Sequence, residues 1–232
     1  MKRHYLAILA VAPLGACAST YTATPYVPGA QSLAKVGVMD DSMPEKLSAA
    51  EVASVGSNFG LIGALVDAGV TASRQDALTD ALSTVSFDAE DRLEKRVVEA
   101  LGAQGVEAQV VTGPKRQKRV FLADYPALDG ADAYLDIVLT NYGYLSAGSG
   151  QPWRPTAYAM VKLVSAKDKK TLLENHIAYN VMNAPRGVIT LSPHPDYVFR
   201  NRDEMKADPA KLAAGLEDAF GQIATTAAGL MR

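Results

Sequence analysis

The fold is decided by the stretch AYLDIVLTNYGYL (residues 133–145), which TAYAMVKLVSA (156–166) and TLLENHIAYNV (171–181) follow at short intervals. Apolar and polar residues alternate along all three, as they do from Leu135 through Asp136 to Ile137. A period of two is typical of β-strands that cover one face and leave the other in water. The three stretches are therefore predicted to form an antiparallel meander.

Two further strand-like runs precede the meander, AKVGVM at 34–39 and VEAQVV at 106–111. Helical periodicity lies between them, so the two strands should be parallel and joined by a helical crossover. Ser42 and Ser48 each stand three residues before a Glu, a capping-box spacing that predicts a helix start in this region.

Two more helix starts can be placed from the sequence. Ser86 is predicted to cap a helix that opens at Phe87. Asp208 and Pro209 are predicted to start a C-terminal helix, because a capping side chain followed by Pro in the first turn is typical of a helix N-terminus. The fold class is therefore α/β (α+β): a mixed sheet of about five strands, a strand-helix-helix-strand crossover, a three-strand antiparallel meander and a C-terminal helix.

Composition excludes several classes of protein. The 232 residues carry 23 Lys and Arg against 25 Asp and Glu, and removal of residues 1–16 would leave 21 against 25, so binding to nucleic acid is not expected. Cys17 is the only cysteine, which excludes a structural disulfide within the chain and any zinc site that needs two thiolates. We expect no metal and no cofactor.

The N-terminus has the layout of a secretory signal peptide. A basic start, MKRH, precedes the apolar run LAILAVA at 6–12, which as a helix would rise only about 10 Å and so is too short to span a bilayer. Residues 14–17, Leu-Gly-Ala-Cys, resemble the bacterial lipobox. The resemblance implies cleavage between Ala16 and Cys17 and acyl chains on Cys17, which would anchor the protein firmly.

The residues after the lipobox complete the predicted domain organisation. Residues 18–33 contain no charge and are rich in Thr, Pro and small side chains, which predicts a flexible tether over 17–33. Ala18 stands where inner-membrane lipoproteins of enteric bacteria have Asp, so this resemblance favours the periplasmic face of the outer membrane. Residues 1–16 are then the lipoprotein signal peptide, and 34–232 form a single periplasmic domain.

A glycine-rich stretch, GSNFGLIGALVDAG at 56–69, stands out from the rest of the chain. Each glycine costs about 1 kcal/mol of helix stability relative to Ala, so four in fourteen residues need a reason. Gly60 and Gly63 lie on the same helical face, and we expect them to allow close packing of a helix on its neighbours. Self-assembly through this segment is the alternative, and the oligomeric state is left open.

No nucleotide-binding, zinc-protease or hydrolase-elbow motif occurs in the sequence, so no catalytic residue is assigned. After cleavage the remaining histidines are His176, on the polar side of a predicted strand, and His194, between two prolines. Both are expected to be structural, and the alternative is an envelope enzyme that uses one of them as a base.

Two surface features are candidates for binding. Aromatic and Arg side chains are enriched where proteins bind partners, which makes a candidate surface of Tyr142, Tyr144, Trp153 and Arg154, with packing in the core as the competing interpretation. The basic run KRQKR at 115–119 is predicted to be a solvated loop, with contact to lipid headgroups or a polyanion as the alternative.

Several segments together resemble a group of uncharacterised proteobacterial lipoproteins. They are LGAC at 14–17, VGVM at 36–39, GLIGALVDAG at 60–69 with Arg74, and DPAKLAAGL at 208–216. The order of strands and helices is also similar to that of curli-secretion and penicillin-binding-protein-activator lipoproteins, in topology alone. Neither resemblance supplies an activity to carry over. From the residues we expect an outer-membrane lipoprotein, without catalysis, whose domain binds a protein partner in envelope assembly or transport.

Overall fold

A seven-stranded mixed sheet with helices packed on one face forms the centre of the protein. The structure, a computed structural model, describes residues 20–29, 31–52 and 60–232, and only the backbone of 60–70. The strands are β1 (Lys35–Met39), β2 (Ser48–Glu51), β3 (Glu107–Val111), β4 (Ala133–Ser146), β5 (Trp153–Ser165), β6 (Thr171–Tyr179) and β7 (Ile189–Leu191). The helices are α1 (Gly60–Ser83), α2 (Ala89–Gly102), α3 (Arg202–Ala207) and α4 (Pro209–Gly229).

The order of the strands is β3-β1-β4-β5-β6-β7, and β2 pairs with the second half of β4. β1 is parallel to β3 and to the start of β4, whereas β4, β5 and β6 form an antiparallel meander. The predicted fold class, crossover, meander and C-terminal helix are confirmed. The sheet has two strands more than expected, because the short β2 and β7 add on parallel to β4 and β6.

Helices α1, α2 and α4 cover one face of the sheet. Leu93, Val97 and Leu101 of α2 and Leu216 and Phe220 of α4 are buried against the strands. Asp208 caps α4 by accepting a hydrogen bond from the Lys211 amide, as the sequence predicted. Within the described residues, no helix combines the length and the hydropathy needed to cross a membrane.

The helix predicted from the serines at 42 and 48 is wrong. Residues 48–51 form β2 instead. The backbone amides of Ser42 and Met43 donate to the carboxylate of Glu90 on α2, at 2.6 and 2.8 Å, so a distant side chain satisfies the groups that a helix start would have offered. The next helix also begins later than predicted, since Asp88 rather than Ser86 caps α2.

The face of the sheet opposite the helices is partly covered, where the alternating pattern predicted contact with water. The loop over residues 112–131 packs Leu122, Tyr125 and Leu128 against Tyr134 of β4. Asp136, also on this face, is fully buried because Arg116 from the same loop pairs with it at 2.8 Å. Arg116 of the basic run is therefore internal, and Arg119, which is partly exposed, pairs with Asp41 at 3.1 Å.

Residues 20–29 and 31–33 lie on the domain. Thr24 exchanges two backbone hydrogen bonds with Glu174 on the outer edge of β6, at 2.8 and 2.9 Å. At the far end of the segment, the backbone amides of Ala34 and Lys35 donate to the Asp132 carboxylate. The segment thus crosses from β6 to β1, and the part of the predicted tether that precedes Thr20 lies outside the described residues, as does the signal peptide.

Candidate functional site

The aromatic residues predicted to form a binding surface lie in the core. Tyr142, Tyr144 and Trp153 are exposed by only 8%, 1% and 5%. The Tyr144 hydroxyl donates to the Leu212 carbonyl on α4 at 2.8 Å. An exposed aromatic surface at these three positions is therefore wrong, and the competing interpretation, core packing, is correct.

A β-bulge explains the position of the two tyrosines. The pairing of β4 with β5 shifts between Leu139 and Asn141, leaving Thr140 without an opposite residue. An extra residue reverses which face the following side chains occupy, so Tyr142 and Tyr144 join Leu139 on the helical face. Arg154 remains half-buried next to this cluster.

Trp153 packs beneath a buried ion pair. The Arg74 guanidinium lies 5.7 Å from the centre of the indole ring and 2.8 Å from a carboxylate oxygen of Glu51. Both charged side chains are nearly buried. The arrangement fixes α1 to β2 and to the start of β5, which is a structural role.

His176 is engaged in packing. Its ring stacks on Tyr21, with the centres 3.9 Å apart, and its Nδ1 lies 2.9 Å from the Tyr158 hydroxyl. Burial lowers the pKa of His176, with a smaller opposing effect from Glu174. The imidazole is covered on one side by Tyr21 and hydrogen-bonded on another, which favours the structural interpretation of this residue.

His194 stands at the start of a short 3₁₀ turn over residues 195–197. Its Nδ1 accepts a hydrogen bond from the Asp196 amide at 3.3 Å, and its own amide donates to the Tyr179 hydroxyl at 3.2 Å. The side chain is half exposed. These contacts make His194 a turn cap, and its ring lies 5.6 Å from that of Tyr197.

An acidic group surrounds the start of α2. Burial and then the charges of Glu90 and Asp40 raise the pKa of Glu94 to about 7. Asp88 and Asp91 add to the same negative field. Among the residues that the structure describes, no set of three or more His, Cys, Asp or Glu side chains is placed to hold a metal ion.

An open groove of about 940 Å³ runs along the outer side of α4. We call it the α2–α4 groove. Its floor consists of small side chains of α4, and its walls carry charged and polar groups of both helices: Ala210, Ala213, Ala214 and Gly221 below, with Arg96, Glu99, Glu217, Asp218 and Gln222 around them.

The charged groups of the groove are held in fixed positions by one another. Glu217 accepts from Arg96 at 2.7 Å and pairs with Arg92 at 3.3 Å, which joins α2 to α4. Asp218 accepts from the Tyr179 hydroxyl at 2.5 Å and from Gln222 at 2.9 Å. The groove is thus shallow, and its small side chains lie among charged and polar groups that are paired with one another.

Sequence reasoning missed the α2–α4 groove. The signal was present, because the outer side of α4 has small residues at helical spacing, opposite the buried stripe of Leu212 and Leu216. Small residues on the solvent-facing side of a helix can belong to an ordinary surface or to a groove, and the sequence does not show which helix lies beside them. Only the position of α2 shows that they form the floor of a groove.

The remaining predicted sites cannot be compared with the structure. Ala16 and Cys17 lie outside the described residues. Gly60 and Gly63 fall in the first turn of α1, where the backbone alone is described, so their close-packing role stays a prediction.

Comparison with known proteins gives little more. No family model matches the chain, and no curated protein is similar to it. Among solved structures, a proteobacterial protein from Xanthomonas campestris, described under the family name DUF330, is 14% identical. The match covers 91% of this chain and 90% of that chain, with a TM-score of 0.44. A likeness this weak carries no argument about function.

Proposed function

We propose that the chain is a bacterial lipoprotein, held by acyl chains on Cys17 at the periplasmic face of the outer membrane. Its domain binds a protein partner in envelope assembly or transport and does not catalyse a reaction. The anchor rests on the motif at residues 14–17 and on the basic and apolar segments before it.

The observation that supports partner binding is the shape of the α2–α4 groove. Small-molecule sites are usually enclosed and bury most of their ligand, whereas this groove is open along its length. The groove follows helix α4 from Ala210 to Thr226, a length of about 24 Å. An extended open surface of this kind suits a segment of another protein.

The residues that line the groove indicate what kind of partner segment would bind there. Alanines and Gly221 on the floor let a partner helix approach to the short end of the usual 8–10 Å interaxial range. Arg96 and Glu99 on α2 and Glu217 on α4 supply both signs of charge at the border. The occupant is therefore a helix that presents small side chains together with charged residues of both signs.

The groove is tested by filling it without unfolding the domain. A Cβ built on Gly221 meets only the Arg96 Cδ, at 4.0 Å, so Gly221→Leu should fold normally and obstruct the groove. Gly229→Leu is the matched control, because Gly229 lies on the same helix in open space and outside the groove.

A photo-crosslinking residue at Ala214, on the groove floor, should trap one discrete protein in intact cells. That product should disappear in the Gly221→Leu background and persist in the Gly229→Leu background. A crosslink that survives both substitutions, or none at all from Ala214, would contradict binding through the groove.

The anchor is tested separately by Cys17→Ser. The substituted protein, if it is exported, should leave the membrane fraction, because its acylation site is lost. Retention of this variant in the detergent-soluble membrane fraction would contradict the lipoprotein assignment.

A further inference from the structure

The first described residues of the chain are fastened to one edge of the sheet. Tyr21 donates its backbone amide to the Arg186 carbonyl at 2.8 Å, three residues before Thr24 pairs with Glu174 on β6. Arg186 belongs to the loop over residues 180–188, which leads from β6 into β7. The chain therefore enters the domain at the β6–β7 edge, defined by residues 171–191.

This attachment is built into the packing. The Tyr21 ring lies flat on His176, with their centres 3.9 Å apart. Gly187 approaches so closely that a Cβ there would lie 2.1 Å from the Tyr21 carbonyl oxygen, and its φ of +90° is one that glycine adopts most readily. The entry point is thus fixed by ring stacking, backbone hydrogen bonds and a close glycine contact.

The distance from this entry point to Cys17 is limited by covalent geometry. Three residue steps separate Thr20 from Cys17, and a fully extended chain covers at most about 11 Å over three steps. An acylated Cys17 lies at the boundary between acyl chains and headgroups, a polar layer about 5–8 Å thick on each side of the bilayer. Because only three residue steps connect Cys17 to Thr20, the β6–β7 edge must lie close to the headgroups.

The surface beside the entry point suits such a position. Residues 180–191 contain no acidic side chain and one basic side chain, Arg186, which is exposed. Met182, in the same loop, is 44% exposed. The opposite edge of the sheet is different, since β3 there exposes Glu107. On the same edge the Glu174 carboxylate, 34% exposed, pairs with Lys162 at 3.4 Å. An apolar side chain and a cation, with no carboxylate in the loop itself, fit a headgroup layer that contains anionic lipid.

We infer that the β6–β7 edge, with Met182 and Arg186 of the 180–188 loop, lies against the lipid headgroups of the membrane that holds Cys17. The inference rests on the proposed lipid anchor. It adds an orientation of the domain relative to the membrane. The β6–β7 edge faces the headgroups, and the α2–α4 groove on the helical face remains open to the periplasm.

Quenching by brominated lipid tests this orientation. The lipidated protein is purified from bacterial membranes and reconstituted in vesicles of phosphatidylethanolamine and phosphatidylglycerol, with or without bromine on the acyl chains near the headgroup. Met182→Trp places a reporter in the loop, and Glu107→Trp places one on β3, five strand spacings or about 24 Å away across the sheet. The chain's single tryptophan, Trp153, is buried and gives the same background in both variants.

We expect brominated vesicles to reduce the added emission of Met182→Trp and to leave that of Glu107→Trp unchanged. Equal quenching of the two reporters, or none, in protein that floats with the vesicles would overturn the orientation while leaving the anchor intact. Protein that fails to float with the vesicles would overturn the anchor, and the orientation with it.

Discussion

Asp136 is a fully buried carboxylate that is surrounded by hydrogen-bond donors. Its fully buried carboxylate accepts from both terminal nitrogens of Arg116, from the Leu122 amide at 3.0 Å and from the Tyr125 hydroxyl at 3.1 Å. Burial and the Asp136 charge raise the pKa of Tyr125, which keeps its hydroxyl a donor. One side chain of β4 thus holds the 112–131 loop on the sheet.

Removing the cation should therefore be costly. Arg116→Met leaves Asp136 charged and buried without its counter-ion, and we expect the free energy of unfolding to fall by about 3–5 kcal/mol in urea titrations. Lys170→Met, which removes the exposed pair with Asp168, is the control and should change it by less than about 1 kcal/mol. Adding Asp136→Asn to Arg116→Met should recover part of the loss, and no recovery would show that the buried charge is not the cause.

Glu94 gives the protein a pH dependence of defined sign. Its pKa rises from 4.5 to about 7 on folding, mainly because of burial and the neighbouring Glu90. Between these values the folded state binds more protons than the unfolded state, so stability falls as pH rises through the window and levels off above about pH 7. Glu94→Gln should flatten this part of the profile and, allowing for solvent screening, stabilise the domain by about 1 kcal/mol at pH 8.

The measurement is a series of urea titrations from acid to mildly alkaline pH. Glu99→Gln removes a more exposed carboxylate from the same helix and should leave the slope as it is in the unsubstituted protein. If Glu94→Gln keeps the slope as well, Glu94 does not titrate in this window.

At the scale of the elements, sequence patterns predicted five of the seven described strands and the C-terminal helix, but not every side chain that these elements bury. The meander was predictable because β4, β5 and β6 alternate with a period of two, and α4 because Asp208 and Pro209 mark its start. The bulge at Thr140 has no local sequence signal, so the sequence alone left Tyr142 and Tyr144 open between a binding surface and the core.

The failed helix at residues 42–51 has a related cause. A capping-box spacing describes only local hydrogen bonds, whereas here Glu90, 48 residues after Ser42, supplies the acceptor. Residues 48–51 then pair with β4, where Gly143 has a φ of +142° and a Cβ would lie 2.0 Å from the Ser48 carbonyl oxygen. Neither long-range contact can be read from the spacing of a serine and a glutamate.

Helix α4 offers a prediction that separates close packing from helix propensity. A Cβ added at Gly215 would lie 2.3 Å from the Tyr144 hydroxyl oxygen and 3.0 Å from the Tyr197 Cβ. Because Tyr144 is buried and hydrogen-bonded to Leu212, Gly215→Ala should displace it and lower the unfolding free energy by about 1–3 kcal/mol.

At Gly221, on the same helix, an added Cβ would meet only the Arg96 Cδ, at an ordinary contact distance of 4.0 Å. Gly221→Ala should therefore raise the unfolding free energy by about 0.5–1 kcal/mol, because alanine is the better helix former. Thermal and urea unfolding of the two variants measure the difference. A stabilised Gly215→Ala would mean that Tyr144 gives way at no cost.

At the scale of the whole molecule, the anchor remains a prediction from the sequence, whereas the α2–α4 groove could be found only in the folded chain. The predicted anchor rests on four consecutive residues, 14–17, which can be recognised in the sequence without knowledge of the fold. The α2–α4 groove depends on two helices that are about 120 residues apart at the Arg96–Glu217 contact, so it exists only after folding. The placing of residues 20–33 is also a tertiary effect, because their uncharged composition is typical of a linker until β6 and Asp132 supply partners.

The last prediction concerns the extent of the folded unit. A chain that starts at residue 34 lacks both hydrogen bonds to Glu174 and the Tyr21 ring on His176, so the outer edge of β6 is left open at that point. We expect it to be less stable than a chain that starts at residue 20 by about 2–3 kcal/mol in urea titrations. It should also self-associate in sedimentation experiments, because an unpaired strand edge is a template for pairing. NMR titration supplies an independent readout, since the pKa of His176, lowered by burial, should rise when Tyr21 is removed. Equal stability and equal pKa in the two chains would show that residues 20–33 contribute nothing to the fold and that the domain begins at β1.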